Sequence, residues 1–194
     1  DHCNSNATAF NNSLCMLQKS YRFDARSGIG HLANAINTGN QKAIKRTLGQ
    51  GFEDIAIHPA DDKGYQKLIT LCKTEYQHYL LLIQSGIAEG ELETDWQKKI
   101  LNGFHRFQLL CALREGQFGV SGLNEAIRIA LVNTGLIEES GLWYQGRPVL
   151  ITKNDRTLGL FNGDIGIILK SNDHHLRAVF EQPDGTIKQF LPSR

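Results

Sequence analysis

The spacing of apolar residues changes near Trp143, and this change constrains the fold more than any other feature of the sequence. Upstream, apolar residues recur at helical intervals, most clearly over 64–83. Downstream, short strand-like runs are separated by turn sequences, among them Asn162-Gly163 and a Pro-Asp-Gly tripeptide. These runs cover residues 148–151, 165–169, 176–180 and 186–191. Four strands in about 45 residues are too few for a large two-sided sheet, so the sequence predicts a small barrel of SH3-like or OB-like size.

The part of the chain before Trp143 alternates helical patterns with short strand-like runs. Ser27 can cap a first helix and Gly39 can end it. Further helices are predicted over residues 41–48, 64–83, 93–104 and 120–133. A strand is predicted over 52–57, and the apolar run over 108–113 predicts a second, fully buried one. This alternation favours an α/β layer built on a parallel sheet.

The charge balance and the hydropathy pattern limit the partners that the chain can have. The sequence has 21 Lys and Arg against 20 Asp and Glu, so its formal net charge is +1. Since this gives no overall attraction to nucleic acid or to an anionic membrane, any contact with DNA must be local. No run of about 18 apolar residues is present, and the first residues do not resemble a signal peptide. We therefore expect a cytoplasmic protein that has no membrane contact.

Several common catalytic and metal-binding motifs are missing from the sequence. The four cysteines, at positions 3, 15, 72 and 111, lack the spacing of a disulfide framework or a zinc site. There is no G-x-x-x-x-G-K-[ST] phosphate loop, no acidic Walker B strand end and no H-E-x-x-H pair. We therefore expect no bound metal, and we expect the chain on its own to be inactive in nucleoside triphosphate hydrolysis.

Three segments of the sequence resemble consecutive parts of one protein family. The first is 17–23 (LQKSYRF) with the SGIG sequence at 27–30, the second is 108–116 (QLLCALREG), and the third runs from 143–149 (WYQGRPV) to 158–166 (LGLFNGDIG). In order and spacing, these segments resemble parts of the RecD-type superfamily 1 DNA helicases, which are the exodeoxyribonuclease V alpha chains. The first resembles helicase motif IV, and the second resembles the strand, loop and helix that follow this motif. The third resembles the entry into the barrel insertion of the family. The polar start and the weakly patterned stretch from about 49 to 101 carry little of the likeness.

The resemblance implies a division of the chain and a function for the longer protein. Residues 1–13, which are polar, are expected to form a loop or a disordered start. Residues 14–142 would belong to the second RecA-like helicase domain, and residues 143–194 would form its small SH3-like β-barrel insertion. A fragment of this kind lies after the Walker motifs of the family and before its last two motifs, which accounts for the missing catalytic residues.

The same resemblance implies that the intact subunit is an ATP-dependent 5′-3′ DNA helicase of the RecBCD exodeoxyribonuclease V complex, which acts in DNA repair and recombination. RecB-type and RecC-type subunits and single-stranded DNA would be its partners. ATP and Mg²⁺ would be bound mainly by the absent first RecA-like domain, so no cofactor is expected in the fragment. The alternatives are a non-catalytic DNA-binding module and a protein-interaction platform in which the helix over 67–83 makes contacts.

By resemblance to motif IV, Arg22 is expected to be a catalytic arginine finger that reaches the γ-phosphate of ATP across the cleft between two domains. A planar, permanently charged guanidinium can meet two of the oxygens on which charge develops during phosphoryl transfer. Tyr21 is expected either to pack beside it or to stack on the nucleotide base. The alternative for Arg22 is an ordinary surface arginine.

Six further residues are candidates for contact with single-stranded DNA. Arg114 follows the predicted buried strand and precedes a glycine-rich loop, where backbone amides can meet phosphate; a solvated turn is the alternative. Asn124 can bond a phosphate or the loop itself. The others, Arg147, Lys153, Asn154 and Asn162, lie in or near the predicted barrel turns. For the two asparagines the alternative is ordinary hairpin chemistry.

Overall fold

The structure is a computed structural model that describes residues 24, 26–138, 141–171 and 173–192. The chain divides into two compact units, Asp1–Pro59 and Ala60–Arg194. The described residues contain five helices and one four-stranded sheet, so the expected mixture of helices and strands is confirmed.

The first unit contains two short helices, α1 (Gly28–Asn37) and α2 (Gln41–Gly49). Both lie where the sequence predicts them. The hydroxyl oxygen of Ser27 accepts a 3.0 Å hydrogen bond from the amide of Gly30, which is the expected helix cap. Gly39 follows α1 with a φ of 64°, a backbone conformation that suits glycine at a helix end.

The strand predicted over 52–57 is wrong, because these residues form a connection that packs on α1. Asp54 accepts hydrogen bonds from the amides of Gly28 (2.9 Å) and Ile29 (3.0 Å), which have no partner within the helix. These bonds hold the pKa of Asp54 below its ordinary value. The ring of Phe52 lies 5.4 Å from that of His31. The apolar alternation that suggested a strand therefore reflects packing against a helix.

The second unit begins with three helices, α3 (Asp62–Ser85), α4 (Glu93–His105) and α5 (Val120–Asn133). All three confirm the predicted helical spacing. Asp61 caps α3 by accepting a 2.8 Å hydrogen bond from the amide of Gly64. The three helices bury their apolar faces together, and α3 contributes Cys72, Tyr79 and Leu80 to that core.

The sheet of the second unit is an antiparallel meander. Its strands are β1 (Pro148–Leu150), β2 (Ile165–Lys170), β3 (Leu176–Glu181) and β4 (Ile187–Phe190), and they lie in the order β1-β2-β3-β4. In the register, Ile168 lies opposite Ala178, and Val179 lies opposite Gln189. The four predicted strands are confirmed. Closure into a barrel stays a prediction, as does a parallel sheet, since every strand pairing in the described part of the chain is antiparallel.

The fully buried strand predicted over 108–113 is wrong. This segment is not a strand in the described structure, and the side chains of Leu110 and Leu113 are 89% and 61% exposed. Leu109 and Cys111 pack against the helical core, while their neighbours face solvent. The continuous apolar run suggested burial on both faces, but the core covers one face only.

One apolar core joins the three helices to the sheet. Ile167, Leu169 and Val179, each 0% exposed, share a cluster with Leu80 and Ile100. Because side chains alternate along a strand, the residues between them point to the opposite face, where Leu160, Ile168, Ala178 and Phe180 form a second cluster. The helices and the sheet therefore pack as one body, and the domain boundary expected at residue 143 stays a prediction about the longer protein.

Polar bonds cross the seam between helices and sheet as well. The hydroxyl of Tyr79, on α3, donates a 2.9 Å hydrogen bond to the carbonyl of Gly146 just before β1. Gln189, on β4, donates to the side-chain oxygen of Gln97 on α4 at 3.3 Å. Burial raises the pKa of Tyr79 far above its ordinary value, so the hydroxyl stays protonated and remains a donor.

We expect Tyr79→Phe to lower the free energy of unfolding by about 1–3 kcal/mol, because the buried carbonyl of Gly146 loses its donor. Urea denaturation followed by circular dichroism measures this change. Tyr65→Phe, a half-exposed tyrosine on the same helix, is the matched control and should change the midpoint little. Equal stability of the two variants would contradict a role for the Tyr79 hydroxyl in fixing the sheet.

Candidate nucleic-acid interface

Two of the predicted site residues, Tyr21 and Arg22, lie outside the described residues. The arginine finger therefore stays a prediction. The six candidates for DNA contact all lie in the second unit, and the structure places them in three groups.

The first group lies at a cavity of about 610 Å³ between the helices and the start of the sheet. Asn124 on α5 and Arg147 before β1 both line it, so the structure brings together two candidates that are 23 positions apart in sequence. The wall between them is apolar and aromatic and includes Tyr76, Phe104 and Leu123. A polar rim over an aromatic wall is a surface that can hold an amphipathic ligand.

Arg147 is held in place by its neighbours. Its guanidinium donates a 2.6 Å hydrogen bond to the carbonyl of Leu142 and lies 5.7 Å and 5.6 Å from the ring centres of Trp143 and Tyr144. These distances are within the range of cation–π attraction. Tyr144 is buried in the core that the helices and the sheet share. Arg147 therefore supports the entry to the sheet and also faces the cavity.

The second group is the glycine-rich loop before α5, which carries Arg114. Its side chain is exposed, as a phosphate contact requires. The first amides of α5 are already used, however: those of Val120 and Ser121 donate to the carbonyls of Leu113 (3.0 Å) and Arg114 (3.1 Å). Gly122 is required by close packing, since a Cβ atom there would lie 2.3 Å from the carbonyl oxygen of Gly116. Any phosphate contact at this loop would therefore depend on the Arg114 side chain more than on these two amides.

The third group is the connection between β1 and β2, which carries Lys153, Asn154 and Asn162. The side-chain oxygen of Asn154 accepts a 2.8 Å hydrogen bond from the amide of Asn162, so the two candidates are in direct contact. Gly163 follows with a φ of 98°, as expected of an Asn-Gly turn. Asn154 thus has the structural role that was its alternative. The side chains of Lys153 and Asn162 remain exposed.

Sequence reasoning missed an ion pair at the cavity. Arg128 donates to both carboxylate oxygens of Glu125, at 2.8 Å and 2.6 Å, and both residues line the cavity. This pairing lowers the pKa of Glu125. Arg128 lies four residues after Asn124 on a predicted helix. Residues at this spacing share a helix face, so the sequence could have placed Arg128 beside Asn124.

The described ranges contain neither a membrane-spanning helix nor a cluster of metal-binding side chains. No helix there combines the length and the apolar character that crossing a bilayer needs. No group of three or more His, Cys, Asp or Glu side chains lies close enough there to share a metal ion.

Comparison with known proteins gives the same family as the motifs. No family model matches the chain. Proteins named RecBCD enzyme subunit RecD do match it, at 28% identity over 95% of the chain in Buchnera aphidicola (subspecies Schizaphis graminum) and at 34% identity over 84% in Mycolicibacterium smegmatis. The chain belongs to the RecD family. A further RecD protein, from Haemophilus influenzae, is 29% identical over 80% of the chain.

The chain spans about 30% of the length of the RecD relatives that it matches, with 30% for the Buchnera protein and 27% for that of Mycolicibacterium. The match confirms the resemblance inferred from motif order and spacing. The likeness reaches across both the helices and the sheet, since it covers 80% to 95% of the chain in these three relatives.

Proposed function

We propose that this RecD-family chain is the motor segment of an ATP-dependent 5′-3′ DNA helicase subunit of exodeoxyribonuclease V, which assembles with RecB-type and RecC-type subunits. The observation that carries the proposal is the match of nearly the whole chain to proteins named RecBCD enzyme subunit RecD. ATP and Mg²⁺ are bound elsewhere in the longer subunit, and this segment contributes to the face that closes on the nucleotide.

Arg22 is the proposed arginine finger of this motor. Its support is the LQKSYRF sequence at 17–23, which resembles motif IV. During phosphoryl transfer, negative charge spreads over the equatorial oxygens of the transferred group, and a guanidinium stabilises that charge without a change of protonation. Tyr21 lies beside it in sequence and packs against the guanidinium or the nucleotide base.

The proposed path of single-stranded DNA crosses the second unit at the three groups of candidate residues. Arg114, Lys153 and Asn162 have exposed side chains, and Arg147 and Asn124 line the cavity. With a net charge of only +1, the chain cannot attract DNA as a whole, so these local cations must supply the contact.

In this proposal, a RecA-like parallel sheet formed by other parts of the longer protein covers the exposed face of the segment at 108–113, and the four-stranded sheet is the core of its SH3-like barrel. One face of the segment already packs on the helices, while the side chains of Leu110 and Leu113 are 89% and 61% exposed. The relatives are about three times as long as this chain, so they contain further chain that can cover this face.

Leu110→Lys tests whether the longer protein covers this exposed face. We expect no measurable loss of stability in the present chain, because the side chain is 89% exposed, but a loss of about 2 kcal/mol or more in the full-length subunit, where burial would leave a charge without a partner. Thermal unfolding of both proteins measures the difference. Lys98→Ala is the control for a general effect of substitution. If Leu110→Lys left the stability of the full-length subunit unchanged, the proposed cover of this face would be contradicted.

Arg22→Ala in the full-length subunit tests the motor itself. We expect ATP hydrolysis to fall on the order of a thousandfold, because the charge of the transferred phosphoryl group loses its guanidinium. Binding to single-stranded DNA should change little. Arg26→Ala is the matched control, since Arg26 is 91% exposed and pairs only with Asp24 among the described residues. Normal hydrolysis by Arg22→Ala would remove the assignment.

Lys153→Ala tests the proposed DNA path. We expect weaker binding to single-stranded DNA and a slope of log affinity against log salt that is smaller by about 0.7, which corresponds to one lost phosphate contact. Fluorescence anisotropy at several salt concentrations measures both. Lys170→Ala is the control, because Lys170 lies at the end of β2 that is away from this loop, roughly 17 Å from Ile165 at the rise of a strand. An unchanged slope for Lys153→Ala would exclude this loop from the path.

A further inference from the structure

The connection between β1 and β2 holds an aromatic ring outside the core. Phe161 is 50% exposed, whereas the preceding Leu160 is 3% exposed and anchors the second apolar cluster. A single exposed apolar residue is common and carries no argument alone. At this position, two further features point to a ligand.

The backbone on both sides of the ring is fixed by hydrogen bonds. The amide of Phe161 donates to a carboxylate oxygen of Asp164 at 2.7 Å, and the amide of Asp164 returns a 3.0 Å bond to the carbonyl of Phe161. Asp155 and Leu160 exchange two further backbone bonds of 2.7 Å and 3.0 Å. The ring is therefore presented from a rigid turn, which lowers the entropy that a ligand must remove on binding.

The exposed cations of the same connection favour an anion. Lys153 and Arg156 are exposed in the same connection, and the ammonium of Lys188 reaches the carbonyl of Leu158 at 3.3 Å. The two nearby carboxylates are engaged with amides of the loop: Asp164 with that of Phe161, and Asp155 with those of residues 157 and 158, at 2.9 Å and 3.1 Å. Three cations thus lie in or against the connection that carries the exposed ring.

We propose that Phe161 is a stacking platform for one base of single-stranded DNA, with Lys153 and Arg156 binding the flanking phosphates. This inference rests on the proposed function and deepens it by naming the contact that recognises an unpaired strand. Stacking on an aromatic face needs a base whose own face is free, which a single strand offers and an intact duplex does not. It is tolerant of sequence, as a motor that moves along any strand requires.

A protein partner could also cover an exposed ring, but an apolar protein pocket and a DNA base recognise the ring by different chemistry. An apolar protein pocket accepts leucine nearly as well as phenylalanine, because volume and hydrophobicity decide the fit. A stacked base needs a planar π face, which tyrosine and tryptophan provide and leucine does not. The surrounding lysine and arginine side chains favour the phosphate backbone over an apolar protein surface.

The test uses the full-length subunit and two fluorescent probes, oligodeoxythymidylate and an oligomer of the same length in which all bases are absent. We expect Phe161→Ala and Phe161→Leu to weaken oligodeoxythymidylate binding on the order of tenfold, and Phe161→Trp to retain it. None of the three should change affinity for the abasic oligomer, since phosphate contacts remain. Thermal unfolding of each variant checks that the fold is kept.

Each other outcome decides against the stacking platform in a distinct way. Wild-type affinity of Phe161→Leu would indicate an apolar contact, and an equal loss of both oligomers in Phe161→Ala would indicate a disturbed loop. If Phe161→Ala binds normally while Lys153→Ala binds weakly, the stacking role is overturned and the DNA path stands. If neither Phe161→Ala nor Lys153→Ala alters binding, both the stacking role and the proposed DNA path at this loop are contradicted.

Discussion

The structure depends on a single apolar core that the helices and the sheet share. β2 contributes alternate residues to two clusters, one against α3 and α4 and one on the opposite face of the sheet. Because Ile167, Ile168 and Leu169 are all 0% exposed, β2 is covered on both sides and acts as the central layer of the unit. The β1–β2 connection leads directly into this layer, and the cavity is lined by Tyr79, Phe104 and Leu123 of the same core.

Much of the fold could be predicted because the local pattern and the packing agree. The helices over 28–37, 62–85, 93–105 and 120–133 bury the faces that their spacing indicates, and the strands over 148–190 follow their turn residues. The strands predicted over 52–57 and 108–113 are wrong. In both segments the apolar residues pack against a part of the structure that the local sequence does not specify. At 52–57 the partner is a helix end, and at 108–113 the described residues cover only one face.

The sequence predicted part of the candidate site. Its local contacts could be predicted, but the contacts that depend on packing between distant elements could not. Asn154 and Asn162 were each identified as candidates with turn chemistry as the alternative, and the structure shows that the amide of Asn162 donates a hydrogen bond to the side chain of Asn154. The meeting of Asn124 and Arg147 at one cavity depends on how α5 packs against the sheet, which no local pattern encodes. The exposed ring of Phe161 had no sequence signal, since its neighbour Leu160 has the same apolar character and is buried.

The bond between Tyr79 and the carbonyl of Gly146 has a mechanical consequence. It ties the C-terminal half of the 24-residue helix α3 to Gly146, two residues before β1 begins, in a region that is also filled by apolar side chains. A load applied at the β1–β2 connection would therefore travel into α3 without an intervening hinge. Such a load would displace the second unit as a whole, because its helices and its sheet share one apolar core.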